Sequence, residues 1–177
     1  MNFCSQCGQP VVRKVPAGDD RPRYVCPICN AVHYQNPKLV VGCIPVWNDR
    51  ILMCRRNIEP RKGYWTLPAG FLENGETAAD GARRETIEET GADVTDLAPY
   101  LMVDIVHIHQ IYLMFRARLL TPDIHPTQES SEVKLVKTAD IPWDDIAFKV
   151  VEKTLSAYLG DRPSGSFAFR TDTIEIK

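Results

Sequence analysis

The sequence predicts an α/β domain carried behind a small N-terminal module. Three observations support this. Four cysteines stand in two CxxC pairs within the first thirty residues. From Lys38 onward, apolar runs of strand type alternate with runs at helical spacing. The chain of 177 residues is 44% hydrophobic and 25% charged, enough to bury a real core without extra staples. Lys and Arg total 21 against 23 Asp and Glu, a net charge of -2. That balance excludes a strongly basic nucleic-acid binder, so no nucleic-acid partner is expected. No window approaches the ~18 apolar residues of a membrane helix, so no membrane partner is expected either. The opening Met1-Asn2-Phe3-Cys4 has neither the basic patch nor the apolar stretch of a secretory signal, so the expected location is cytoplasmic. In that compartment the cysteines are not expected to form a disulfide framework.

The first element is set by Cys4, Cys7, Cys26 and Cys29, two CxxC pairs separated by eighteen residues. Each two-residue gap lets two thiolates converge on one ion, and two such knuckles close a tetrahedral sulfur shell suited to Zn²⁺. Gly8 and Asn30 follow the pairs and tolerate the left-handed backbone of a knuckle. Strand-like Val11-Val12 and Arg23-Tyr24-Val25 flank the loop Pro16 to Asp20. The reading is a zinc ribbon over 1–33, with the metal supplying folding energy that so small a core lacks. Two separate redox CxxC pairs are the rival, but no thioredoxin-like βαβ pattern surrounds them. His33 is a spare ligand for a shell already filled, and 34–38, ending near Pro37, reads as a linker.

The larger domain is expected over 39–160. Leu39 to Trp47 is an apolar, β-branched strand, Asn48-Asp49 a two-residue turn, and Arg50 to Arg55 the returning strand. Cys43 and Cys54 sit inside these strands as small buried hydrophobes. Leu101 to Ile105 and Ile108 to Leu119 are further strands, the latter alternating Ile111, Leu113 and Phe115 with Tyr112, Met114 and Arg116. His107 and His109 would share one face of that strand. Thr121 to Gln128 is a polar loop, and Ile146 to Leu159 has helical spacing. The tail 161–177 is expected either to add a strand between Phe167 and Ile176 or to frame a homodimer contact.

Between the strands lies GFLENGETAADGARRETIEETGA, Gly70 to Ala92. Thr77 with Asp80 three residues later is a helix-start signal, and Gly91 a stop. On that helix Glu88 lies ~60° to one side of Glu85 and Glu89 ~40° to the other. Three carboxylates so close repel one another, and a divalent cation converts the repulsion into binding. Oxygen-only ligands favour Mg²⁺ or Mn²⁺. Ala78 and Gly81 share the carboxylate face, and a residue as small as Gly81 admits a loop or ligand. Ala79, Ala82, Thr86 and Ile87 form the face expected to meet a sheet. The bland alternative is a solvated acidic face paired with Arg83 and Arg84.

This stretch resembles a Nudix box, G-x5-E-x7-R-E-U-x-E-E-x-G-U, with U a bulky aliphatic residue. Gly70, Glu76, Arg84, Glu85, Glu88, Glu89 and Gly91 match all seven fixed positions, while Thr86 and Ala92 depart at the two U positions. Trp65-Thr66-Leu67-Pro68-Ala69 is similar to the usual lead-in. The resemblance implies an α/β/α sandwich around a mixed sheet. It also implies an enzyme of the hydrolase class acting on acid anhydrides, cleaving a nucleoside diphosphate linked to another moiety. By matching positions, Glu85 and Glu89 would be the main metal ligands and the Ala69 carbonyl a further one. Glu88 would be a ligand or base, and Arg84 with Glu76 would orient the glutamates. A downstream glutamate, Glu132 with Glu129 as its rival, would also serve the metal.

The substrate implied is a small-molecule dinucleotide of the ADP-ribose, FAD or NADH type, cleaved to AMP and a phosphorylated product. One zinc-ribbon group with this box, the NADH pyrophosphatases, carries S-Q-P-W-P-F-P-x-S downstream. Here Val106 to Tyr112 stands in that place, so ADP-ribose or FAD is expected ahead of NADH. Tyr64, Trp65, Phe71 and Tyr112 are candidates for stacking a base. The alternative function is a zinc-ribbon binding or adaptor protein with an inactive Nudix domain, and the intact carboxylate set argues against it.

Overall fold

The computed structural model describes residues 1–175. They divide into two compact units, the first Met1–Pro37 and the second beginning at Lys38. In the first, β1 (Val12–Lys14), β2 (Arg23–Val25) and β3 (Val32–His33) form an antiparallel sheet in the order β1-β2-β3. Each CxxC is a tight knuckle. The Gly8 N–H donates to the Cys4 carbonyl and the Asn30 N–H to the Cys26 carbonyl, both at 2.9 Å. Gly8 and Asn30 take positive φ, as a knuckle requires.

The second unit is built on one mixed sheet. Its elements are β4 (Lys38–Trp47), β5 (Arg50–Arg56), β6 (Trp65–Thr66), β7 (Ala69–Phe71), α1 (Ala78–Thr90), β8 (Val94–Ile105), β9 (Gln110–Leu119), β10 (Ser130–Lys137), α2 (Lys149–Asp161) and β11 (Arg170–Thr173). The strand order is β10-β5-β4-β9-β8-β11, with β6 paired to β5 and β7 to β4. Pairings β4–β9 and β8–β11 are parallel and the rest antiparallel. Alternate residues feed two cores. Val41, Cys43, Leu52 and Phe115 pack with Ala82 of α1. Ile44, Ile51, Met53 and Met114 pack with Val150, Val151 and Leu155 of α2. The result is the expected α/β/α sandwich, with α1 covering one face and α2 the other.

Several elements differ from the sequence expectation. The strand expected from Ile108 begins at Gln110, because Val106–Ile108 form a 3₁₀ turn and His109 is left-handed, reversing the chain between β8 and β9. His107 and His109 therefore do not share a strand face, and both are exposed. β8 begins at Val94 and carries Pro99 at a register shift, a place where a missing N–H is tolerated. The helix expected from Ile146 begins at Lys149, since Phe148 is extended and the Ala147 N–H donates to the Trp65 carbonyl at 2.8 Å. β10 was not anticipated; it is an edge strand rich in charge, which hides the alternation of its apolar residues. In the tail, β11 adds a strand parallel to β8; Ile176 and Lys177 lie outside the described residues. Among the described residues no helix is long and apolar enough to cross a membrane.

Candidate active site

The helix α1 runs between the expected caps. Thr77 Oγ1 accepts from the Asp80 N–H, and Gly91 closes the end in the left-handed region. Its buried residues are Gly81, Ala82, Glu85, Thr86, Glu89 and Thr90. The expected sheet-facing set is thus corrected: Ile87 is exposed, and the helix rests on small residues that let it lie close to β4. The two small residues at the box's aliphatic positions are both buried, and Thr86 Oγ1 is satisfied by the Ala82 carbonyl at 2.8 Å.

This docking splits the three glutamates. Glu85 and Glu89 are buried, while the Glu88 side chain is 56% exposed. Glu89 Oε2 accepts from the Ala69 N–H at 3.2 Å and lies 3.5 Å from the Cys54 thiol. Burial, with the neighbouring Glu85 charge, pushes the Glu89 carboxyl up to about 8. Burial also raises Glu85, although Arg84 opposes the shift. Two buried carboxylates, one holding its proton near neutrality, are a donor set short of positive charge. That set fits a divalent cation, and the Ala69 backbone stands beside it.

Arg84 organises the rest. Its guanidinium donates to Glu76 through Nε (3.1 Å) and Nη2 (2.8 Å), and to Glu85 (2.7 Å) and Glu88 (3.0 Å) through Nη1. Nη2 also reaches the Phe71 carbonyl at 3.1 Å. All five N–H groups of the fork are thereby used. Glu76, gripped by Arg84 and receiving the Glu73 N–H, is held down to about 2. Two glycines make the close approach possible. A Cβ on Gly70 would fall 2.2 Å from Glu85 Oε2. One on Gly81 would fall 2.8 Å from Glu76 Oε1 and 2.9 Å from Leu72, so the small residue on the carboxylate face admits the preceding loop.

The structure separates the two downstream glutamates. Glu132 on β10 turns to Arg55, at 3.6 Å, and to Lys134. The Glu129 charge adds, after burial and Glu88, to the upward shift of the Glu85 carboxyl. Its loop is tied to the site: the Asn57 N–H donates to the Glu129 carbonyl at 2.7 Å, and Thr127 Oγ1 to the Glu89 carbonyl at 3.3 Å. Sequence reasoning missed Thr127 and the Cys54–Glu89 contact, since nothing in the pattern links β5 to the helix. Of the aromatic candidates, Trp65 is core, Tyr112 packs against the α2-side core, Tyr64 lies under Arg61, and Phe71 is 46% exposed beneath Lys38.

In the first unit the four cysteine sulfurs lie within 4.8 Å of one another. Cys4 meets Cys29 at 3.6 Å and Cys7 meets Cys26 at 3.5 Å, so the two pairs interleave. Tetrahedral zinc with bonds of ~2.3 Å needs sulfur edges near ~3.8 Å, and the cluster fits it. The rival of two separate redox pairs is not what these contacts describe. His33 Nε2 stands 3.3 Å from Cys4 Sγ, beside the shell rather than in the four-sulfur set. Burial opposes ionisation of Cys4, but backbone N–H groups and His33 outweigh it and hold the thiol down at about 6.

Comparison with known proteins agrees with this architecture. The NUDIX domain model matches residues 36–154, and the Nudix N-terminal zinc-ribbon model matches 2–35. A crystal structure of a NUDIX hydrolase from Nitrosomonas europaea superposes with a TM-score of 0.94 and 50% identity, covering 98% of this chain and 99% of that one. The NAD-capped RNA hydrolase of Photobacterium profundum is 30% identical over 88% of this chain and 58% of its own length. The mitochondrial NAD(P)H pyrophosphatase of Homo sapiens is 38% identical over 55% of this chain and 26% of its own length. The chain thus spans well under two thirds of either curated relative. With the domain model spanning most of the chain and the box residues gathered round one buried carboxylate pair, the chain belongs to the Nudix hydrolase family.

Proposed function

We propose that the chain is a divalent-metal-dependent pyrophosphatase that cleaves a nucleoside diphosphate derivative to AMP and a phosphorylated product. The observation that carries this reading is the buried Glu85–Glu89 pair with the Ala69 backbone against it. Glu85, Glu89 and the Ala69 carbonyl would hold Mg²⁺ or Mn²⁺, with Glu88 as a further ligand or as the base. When bound, the cation offsets phosphate charge and acidifies a coordinated water. The chain's own groups do the rest. Arg84, anchored by Glu76, fixes Glu85 and Glu88. Glu88 is bonded to Arg84 through Oε2, which leaves its other oxygen to serve either as a ligand or as the base toward an attacking water. Phe71, exposed beside this network, offers a ring face to a base. The cysteine cluster would hold a structural Zn²⁺ that folds the ribbon.

The substrate order proposed is ADP-ribose or FAD ahead of NADH, from the absent downstream motif. The relatives' names favour a second reading, a nicotinamide dinucleotide. The test is AMP release from ADP-ribose, FAD, NADH and NAD at fixed Mg²⁺, followed by chromatography, with kcat/KM compared across the panel. Mg²⁺-dependent AMP from any of them supports the reaction. A tenfold lead for NADH reverses the order, and no AMP from any member refutes the pyrophosphatase reading.

A further inference from the structure

An α-helix ends in carbonyls that have no partner within it. At the end of α1, the turn that carries Glu89, one distant loop supplies two of the partners. The His125 N–H donates to the Thr90 carbonyl at 3.0 Å, and Thr127 Oγ1 donates to the Glu89 carbonyl at 3.3 Å. The His125 ring covers Gly91, where a Cβ would fall 2.0 Å from Cε1.

Thr127 does more than cap the helix. Its Oγ1 also accepts the Glu129 N–H and the Ser130 N–H, each at 3.3 Å, and its own N–H donates to the Ser130 carbonyl at 3.0 Å. The hydroxyl's one donor and two lone pairs are thereby all in use. A single oxygen atom thus joins the backbone of Glu89 to the backbone of Glu129. Among the described residues this is the one side-chain hydrogen bond from the loop to α1. On its other side the loop is tied to Asn57, whose N–H donates to the Glu129 carbonyl at 2.7 Å and whose Nδ2 donates to the Gln128 carbonyl at 3.0 Å.

What these bonds fix in place is an uncommitted carboxylate. Glu132 is spent on Arg55 and Lys134, whereas among the described residues Glu129 makes no ion pair. Burial raises the Glu85 carboxyl first, and the Glu129 charge adds to that shift, so Glu129 bears on the buried pair. Packing does little to set its position: of residues 121–129 only Ile124 and Thr127 are partly buried, and the rest are exposed. Hydrogen bonds must therefore hold this loop against the helix.

We infer that Thr127 is a positioning residue: its hydroxyl locks the Glu129 loop to the Glu89 turn, so that Glu129 joins Glu85 and Glu89 around one divalent cation. This rests on the pyrophosphatase reading of the site. Thr127 itself touches neither metal nor substrate; it acts through the two glutamates whose backbones it joins, as residues behind a ligand shell do.

The test uses the full chain as wild type, Thr127→Val, Thr127→Ser, Glu129→Gln and the Thr127→Val/Glu129→Gln double variant. Valine keeps the shape and removes the donor and both lone pairs, while serine keeps all three. Mn²⁺ affinity is read without substrate from the electron paramagnetic resonance of the free ion, and kcat from AMP release with the best substrate of the panel. Thr127→Val should weaken Mn²⁺ roughly 10-fold and lower kcat by a similar factor. Thr127→Ser should stay within twofold of wild type in both. The double variant should be no more than twofold worse than Glu129→Gln alone, since with Glu129 gone its placement no longer matters. A residue that only caps the helix would cost the same in both backgrounds, and that additive result overturns the inference. So do Mn²⁺ affinity and kcat of Thr127→Val within twofold of wild type. If Thr127→Val melts too low to assay, Asn57→Ala cuts the loop's tie at Gln128 and enters the same comparison; a loss that is equal with and without Glu129 again overturns it. If no panel member is hydrolysed, the pyrophosphatase reading fails, and the Mn²⁺ affinities alone decide the role of Thr127.

Discussion

Gly70→Ala isolates the geometry of the site from its chemistry. The backbone at Gly70 does not have positive φ, so alanine adds no conformational strain there. It adds only a methyl group, whose carbon would sit 2.2 Å from Glu85 Oε2 and 2.3 Å from Oε1. Ordinary contact requires more than 3 Å, so the Glu85 carboxylate must retreat by roughly 1 Å. Arg84 Nη1 bonds both Glu85 and Glu88, so the displacement also disturbs its hold on Glu88. A misplacement of that size costs on the order of 10²-fold in rate, about 2.7 kcal/mol of barrier. The assay is kcat for AMP release at saturating Mg²⁺, alongside thermal melting. Gly160→Ala is the matched control, because a Cβ there meets nothing within 4 Å and helix propensity favours alanine. Gly160→Ala should keep full activity. A Gly70→Ala enzyme with kcat within twofold of wild type would show that Glu85 need not occupy this position for catalysis.

Glu85→Gln and Glu89→Gln should each lower kcat by about 10²-fold or more with the fold intact, and near-normal turnover of both at saturating Mg²⁺ would reject the ligand assignment. The Glu89 carboxyl binds its proton more tightly folded (about 8) than at its ordinary value of 4.5. Metal-free stability should therefore fall as pH rises through that window, where the folded chain holds the extra proton, and Glu89→Gln should flatten the dependence in thermal melts. Glu129→Gln should reduce turnover more than Glu132→Gln, since Glu132 is paired with Arg55 and Lys134 while the Glu129 charge adds to the shift of Glu85; the reverse order in parallel kinetics would restore Glu132. Elemental analysis should find one zinc per reduced chain, lost in Cys4→Ser or Cys26→Ser together with order in the ribbon; a zinc-free chain with native ribbon structure would count against the cluster.

Features coded by short-range chemistry were legible in the sequence. The cysteine spacing determined a four-sulfur cluster because two-residue gaps leave each knuckle little choice of shape. Thr77 and Gly91 bounded α1 because caps act on neighbouring backbone groups alone. The Asn48-Asp49 turn specified the β4–β5 hairpin, whose register pairs Trp47 with Arg50.

What only the tertiary structure decided depends on partners distant in the chain. Helical geometry put Glu85, Glu88 and Glu89 within one arc, but docking against β4 buried two and left the third in solvent. Glu129 and Glu132 are equally acidic in sequence. The β10–β5 pairing set Glu132 beside Arg55 and Lys134, while the loop bonds from Asn57 and Thr127 tied the Glu129 backbone to the end of β5 and its loop to the carboxylate helix. Cys54 read as a small core residue, and only the approach of β5 to α1 set its thiol against Glu89. The residue types that can bind a metal were written locally. Which of them are desolvated, and therefore driven toward a cation, was settled by packing, because burial is a property of neighbours and not of the residue itself.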